Sequence, residues 1–117
     1  MRKYAYLKEP YICNDTQSVY KIMLYETDGG YCLFMYCDRD AVMCSFDSFY
    51  ESSSDLFEEW DELIDEQGWI DIDDPLPDCQ HDAFLPIRVK GRNEGKPEWG
   101  KYEILKDGKW IEYNPLK

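Results

Sequence analysis

The residues best suited to chemistry lie in the segment Asp78-Cys79-Gln80-His81-Asp82, which contains the one histidine of the sequence. Cys79 and His81 are two residues apart, so an extended backbone would point both side chains the same way. A neighbouring imidazole can turn a thiol into a nucleophile. Asp78 and Asp82 oppose this, because nearby carboxylates favour the neutral thiol. We therefore expect no catalytic residue and no enzyme, and keep a thiol-dependent site at Cys79 and His81 as an alternative.

The same segment offers ligands for a metal, since zinc binds sulfur, nitrogen and oxygen. The candidate ligands are Cys79, His81, Asp78 and Asp82. The chain has no paired C-x-x-C or H-x-x-x-H spacing, and residues 71–76 lack the glycine at the sixth position of a calcium loop. We therefore expect no metal and no cofactor, with a metal site in this segment as part of the same alternative.

A run of carboxylates between residues 51 and 82, with no lysine or arginine among them, is the other unusual group. Such a run is typical of a solvated, solubilising face. It also suits recognition of a basic partner. On the second hypothesis the partner-binding residues are Glu58, Glu59, Asp61, Glu62, Asp65, Glu66, Asp71, Asp73 and Asp74.

Most of these carboxylates fall on a predicted amphipathic helix over about residues 54–67. Its apolar positions follow the spacing of a single buried stripe and are Leu56, Phe57, Trp60, Leu63 and Ile64. Ser54 or Asp55 can cap the start, with Glu58 completing a capping box, and Gly68 can end the helix. Four like-charge i,i+4 pairs oppose the helix, and they are Asp55/Glu59, Glu58/Glu62, Asp61/Asp65 and Glu62/Glu66. The helix should therefore depend on packing against a sheet.

The remaining pattern predicts strands joined by tight turns. We expect strands over 3–13 (broken at Pro10), 19–25, 31–37, 41–50 and 84–90, and a C-terminal hairpin of 99–106 with 109–113. Tyr20, Ile22 and Leu24 should share a face, and the strand over 31–37, apolar on both faces, should be central. The prediction is a single α+β domain over 1–117, with an antiparallel meander sheet of five or six strands and the principal helix packed on one face.

Composition restricts the partners and the compartment. A hydrophobic content of 44% predicts a folded chain. The net charge of −12 argues against direct binding to nucleic acid or an anionic membrane, because both need a basic surface. The start Met1-Arg2-Lys3-Tyr4 leads into no apolar segment, and the five cysteines form an odd set. We expect a reduced, cytoplasmic setting.

These features favour a small, non-enzymatic protein-binding module with a basic protein as its partner. Small size, acidity and missing catalytic motifs are general features of many inhibitor and immunity proteins, so one of these is a concrete form of the hypothesis. The alternatives are the metal- or thiol-dependent site at Cys79 and His81, and an accessory subunit that binds through an open sheet face.

Overall fold

A computed structural model describes residues 1–114 of the chain. They fall into two compact units, unit 1 (Met1–Asp74) and unit 2, which begins at Pro75. The elements in chain order are β1 (Arg2–Asn14), β2 (Gln17–Thr27), β3 (Gly30–Tyr36), β4 (Phe46–Tyr50), α1 (Ser53–Trp60), a 3₁₀ turn (Asp61–Leu63), β5 (Ile70–Ile72), β6 (Ile87–Val89), a second 3₁₀ turn (Arg92–Glu94), β7 (Tyr102–Lys106) and β8 (Lys109–Tyr113). Antiparallel sheets with one principal helix confirm the predicted α+β class.

Unit 1 contains a five-stranded antiparallel sheet in the order β4-β3-β2-β1-β5. The turn Asp28-Gly29 joins β2 to β3, at the place where a tight turn between these strands was predicted. Gly30 follows it at φ +151°, where an added Cβ would lie 2.5 Å from the carbonyl oxygen of Tyr50, so glycine is required. The middle strand is β2 and not β3, because β5 adds to the far side of β1.

The first strand is long and irregular. Tyr6 is opposite Lys21 and Tyr11 is opposite Val19, so four residues of β1 face a single residue of β2. The predicted break at Pro10 falls within this irregularity. Opposite this irregularity in β2, Val19 is fully buried and Tyr20 is 36% exposed. Tyr20, which was predicted to share a face with Ile22 and Leu24, is therefore not part of the core cluster.

The strand predicted over 41–50 is shorter than expected, since β4 covers only Phe46–Tyr50. Residues 37–45 instead form a loop against β1 and β2. Lys21 Nζ donates to the carbonyl oxygen of Ala41 at 2.8 Å. The Arg39 guanidinium lies 4.1 Å from the centre of the Tyr6 ring. These polar contacts hold the loop where a longer strand was predicted.

Helix α1 begins one residue earlier than predicted, at Ser53, and ends earlier as well, at Trp60. Ser52 is the N-cap, and its hydroxyl accepts from the backbone N–H of Asp55 at 3.3 Å. The α-helix stops at Trp60, and after the 3₁₀ turn Ile64 is extended. Gly68 is left-handed, at φ +69°, but it closes a separate turn in which its N–H donates to the Asp65 carbonyl.

Two features explain the short helix. Its last turn has no basic residue, so the acidic side chains there meet the negative end of the helix dipole without compensation. Beyond it, Ile64 forms an isolated bridge with Leu7 of β1, and the Asp65 N–H donates to the Tyr6 carbonyl at 2.8 Å. The pairs Asp61/Asp65 and Glu62/Glu66 are consequently not helical i,i+4 neighbours, which corrects that prediction.

The helix packs on one face of the five-stranded sheet, as predicted. Leu56 and Trp60 are its buried residues. With Ile64, they join a core cluster whose sheet members are Ala5, Leu7, Val19, Ile22, Leu24, Leu33 and Met35. Burying large apolar side chains contributes about 1.5–3 kcal/mol each, which exceeds the cost of the like charges.

Unit 2 contains a three-stranded antiparallel sheet in the order β6-β7-β8. The predicted turn Asp107-Gly108 joins β7 to β8 with both residues left-handed, at φ +52° and +78°, which confirms the C-terminal hairpin. The strand expected over 84–90 is reduced to Ile87–Val89, and the expected strand start at Trp99 lies outside β7. In residues 1–114, no helix is long and apolar enough to cross a membrane.

Candidate binding surface

The predicted acidic residues of unit 1 lie at its surface. Asp65 is half-buried and the other eight are exposed, and these are Glu58, Glu59, Asp61, Glu62, Glu66, Asp71, Asp73 and Asp74. They do not form one equivalent set, because several of their oxygens accept hydrogen bonds or form ion pairs within the unit.

Glu59 belongs to a chain of hydrogen bonds that ties α1 to β4. Trp60 Nε1 donates to the Tyr50 hydroxyl at 3.0 Å, and that hydroxyl donates to Glu59 Oε2 at 2.6 Å. Burial, and then the hydrogen bond to Glu59, raises the pKa of the Tyr50 phenol above its usual value. Glu59 therefore has a structural role independent of any partner.

Replacing Glu59 with Ala should lower the unfolding free energy by about 1 kcal/mol, because the Tyr50 hydroxyl loses its acceptor. The matched control is Glu58→Ala, which removes the same side chain from the same helix without removing a hydrogen bond. Equilibrium urea unfolding of both variants checks this. Equal stabilities would show that the Tyr50–Glu59 contact does not stabilise the unit.

Asp61 and Asp65 shape the chain after the helix. Trp69 Nε1 donates to Asp61 Oδ1 at 2.8 Å, and the Trp69 ring packs edge-on against Phe57 with centroids 5.8 Å apart. Asp65 Oδ1 accepts from the Gln67 N–H at 3.0 Å. These two carboxylates therefore stabilise the turn that leads to β5.

The last three predicted residues anchor the start of the chain. Asp71 pairs with Lys3 and Asp74 pairs with the amino group of Met1, each at 2.9 Å. The Asp73 carbonyl accepts from Arg2 Nε at 2.7 Å. These contacts hold β1 against β5 and the residues after it, and the two ion pairs partly neutralise the charges of Asp71 and Asp74.

Glu58, Glu62 and Glu66 remain, apart from Asp73, whose contact uses its backbone carbonyl and not its carboxylate. Within residues 1–114, none of these three carboxylates takes part in an ion pair or a hydrogen bond. All three are exposed. A partner that binds these three carboxylates would therefore break no ion pair or hydrogen bond within residues 1–114.

A groove with apolar and charged walls, which the sequence did not predict, includes Glu62 in its lining. Its volume is about 480 Å³, and its lining residues are Leu7, Lys8, Glu9, Pro10, Tyr11, Glu62 and Leu63. Leu63 was assigned to the buried stripe, but the early end of α1 leaves it 38% exposed. The i+7 spacing assumed a continuous helix, and the pairing of Ile64 with Leu7 that interrupts it lies outside any local window of the sequence.

The Cys79–His81 segment lies in unit 2, and its cysteine and histidine side chains lie in different environments. Cys79 is only 2% exposed and forms an isolated bridge with Arg88, whereas His81 is exposed. Asp78 is left-handed, at φ +64°. No group of three or more histidine, cysteine or acidic side chains in the described part of the chain is arranged to hold a metal ion.

The sheet face opposite α1 is buried at its centre. Met23 and Tyr36 are fully buried and Phe34 is 9% exposed, while Phe49 on the edge strand β4 is 56% exposed. Phe49 is therefore an exposed apolar side chain of this sheet, at its β4 edge.

Comparison with protein-family models, curated proteins and solved structures found no match. The protein therefore has an α+β fold and an acidic face, which is formed by the nine carboxylates named above. Three of them, Glu58, Glu62 and Glu66, form no ion pair or hydrogen bond within residues 1–114.

Proposed function

We propose that the protein is a small, non-enzymatic binding module that engages a basic protein through its acidic face. The observation that supports this most is the set Glu58, Glu62 and Glu66, whose carboxylates form no hydrogen bond or ion pair with the described residues. Complementary charge of this kind raises association rates and disfavours wrong partners. Asp61, Asp65, Asp71, Asp73 and Asp74 extend the same negative field while keeping their structural contacts. An inhibitor or immunity protein for a basic toxin or nuclease is one concrete form.

The triple variant Glu58→Gln, Glu62→Gln, Glu66→Gln tests this function. It removes three negative charges and keeps side-chain size. Its stability should stay level or rise by a few tenths of a kcal/mol, about the value of one relieved repulsion, because only Glu58/Glu62 remain near i,i+4 spacing. Capture from an extract of the source cells, followed by mass spectrometry, should show a basic protein bound by the wild type and lost by the variant. With that partner purified, the variant should associate more slowly and with a weaker salt dependence.

A control variant separates this surface from overall charge. Asp15→Asn, Asp47→Asn, Glu112→Gln also removes three exposed carboxylates, and it should keep the captured protein. Identical capture by wild type and by the Glu58/Glu62/Glu66 variant would refute the proposed function and leave the carboxylates as a solubilising face.

A further inference from the structure

The groove between β1 and the 3₁₀ turn combines exposed apolar side chains with a negative rim. Leu63 and Tyr11 are 38% and 45% exposed, and the groove volume of about 480 Å³ falls within the range of about 300–1,000 Å³ typical of ligand sites. A second, wider recess of about 680 Å³ adjoins it through Lys8 and is lined also by Asp61, Ile64, Asp65 and Glu66.

The charge around these two recesses favours a basic occupant. Their acidic lining residues are Glu9, Glu62, Asp61, Asp65 and Glu66. Lys8 is the single basic residue of the lining, and it forms no salt bridge within the described residues. A partner segment with an apolar side chain between lysines or arginines would place the apolar ring or alkyl group on Leu63 and Tyr11. Its basic side chains would lie against the acidic lining residues.

The edge of β1 is poorly suited to pairing with another strand. Beyond Leu7, no described strand pairs with its outer edge. Pro10 lacks a backbone donor, Lys8 is charged, and the irregularity between Tyr6 and Tyr11 distorts the ladder. Proteins protect edge strands with these same features. Recognition at this place should therefore use a side chain in the groove and not strand addition.

We propose that the groove receives one large apolar side chain from a basic segment of the partner, with the neighbouring lysines or arginines bound by the acidic rim. The proposal rests on the proposed function and adds one feature of the partner, a large apolar side chain within a basic segment. A central aromatic side chain surrounded by charged contacts is a common arrangement for the residues that dominate an interface.

Two fluorescein-labelled peptides test this, Gly-Lys-Arg-Trp-Arg-Lys-Gly and the same peptide with alanine in place of tryptophan. Fluorescence anisotropy with the full chain at low ionic strength should show the tryptophan peptide binding at least about tenfold more tightly, which corresponds to about 1.4 kcal/mol. Leu63→Ser should remove the difference, because it removes the apolar wall. Leu85→Ser, at a leucine 44% exposed in unit 2, should leave it unchanged.

The outcomes separate the two proposals. Equal binding of both peptides, a difference that survives Leu63→Ser, or no binding of either peptide would overturn the groove proposal. If both peptides bind equally to the wild type but more weakly to the Glu58/Glu62/Glu66 variant, the groove proposal fails and the acidic face remains a binding surface. A tryptophan preference that depends on Leu63 but is insensitive to that variant would instead count against the proposed function. Urea unfolding of Leu63→Ser establishes that the variant is folded.

Discussion

Replacing Trp60 with Ala should lower the unfolding free energy by about 3–5 kcal/mol, the usual effect of truncating a buried large aromatic side chain. Trp60 is 3% exposed and belongs to the core cluster that joins α1 to the sheet. Its ring lies 5.4 Å from that of Tyr11, and its Nε1 donates to the Tyr50 hydroxyl at 3.0 Å. The variant therefore loses apolar burial, a ring contact and a hydrogen bond together. Equilibrium urea unfolding followed by circular dichroism measures the loss.

Two control variants help to identify the cause of this loss of stability. Trp60→Phe keeps an aromatic ring but loses the donor and part of the volume, so it should be less destabilising than Trp60→Ala. Trp99→Ala removes a tryptophan that is 76% exposed, so it should change stability by no more than about 0.5 kcal/mol. A loss below about 1 kcal/mol for Trp60→Ala would contradict the packing of α1 on the sheet, because cavity formation at a buried tryptophan costs more.

The strands and their turns were predictable because their signals are local. The glycine turn at Asp28-Gly29 and the Asp107-Gly108 turn both join the predicted strands. The meander follows from these turns, since short connections place neighbouring strands antiparallel. What the pattern could not show was the partner of β5, because the pairing of Ile70–Ile72 with β1 joins segments far apart in the chain. That pairing is what makes β2 the middle strand.

The end of α1 was predicted wrongly for a related reason. Leu63 and Ile64 continue the apolar stripe in the sequence, so periodicity favours a helix through both. In the structure Ile64 is buried by its bridge to Leu7, with only 8% exposed, while Leu63 turns outward. A continuous helix would bury both side chains, whereas the observed chain buries only Ile64. The choice between these outcomes depends on β1, which no local window contains.

For the acidic face, too, the sequence predicted the composition but not the tertiary contacts. The sequence was enough to show a run of carboxylates without a basic residue. It could not separate Glu59, which accepts from Tyr50, or Asp71, which pairs with Lys3, from Glu62, which makes no contact within residues 1–114. Such partners lie on other strands, so only the fold identifies the uncommitted carboxylates.

Lys21 is a residue whose environment the strand pattern did not reveal. It lies between Tyr6 of β1 and Tyr36 of β3 in the sheet and is only 4% exposed. Its Nζ donates to Ala41 O at 2.8 Å and lies 5.0 Å from the centre of the Tyr36 ring. Burial lowers the pKa of Lys21 to about 8, with Asp40 and Asp38 of the 37–45 loop opposing the shift and Arg39 adding to it.

This shift predicts an unusual dependence of stability on pH. The unfolded chain keeps the Lys21 proton up to its ordinary pKa of 10.5, whereas the folded chain loses it near 8. Between these values the unfolded state binds more protons, so the contribution of Lys21 to the unfolding free energy rises with pH. Below pH 8 both states hold the proton, and the folded state bears the full cost of burying the charge. From pH 7 to pH 10, the wild type should therefore gain about 2 kcal/mol relative to Lys21→Met.

The comparison with Lys21→Met removes the effects of tyrosines and carboxylates that titrate in both proteins. Urea unfolding of the two proteins at intervals across this pH range gives the difference directly. Lys8→Met, at an exposed lysine, is the control, and its difference from the wild type should stay flat. A flat difference for Lys21→Met would mean that Asp38 and Asp40 hold the ammonium charged in the folded state. In that case the 37–45 loop would be fixed by an ion cluster, and its contact with Lys21 would weaken in high salt instead of changing with pH.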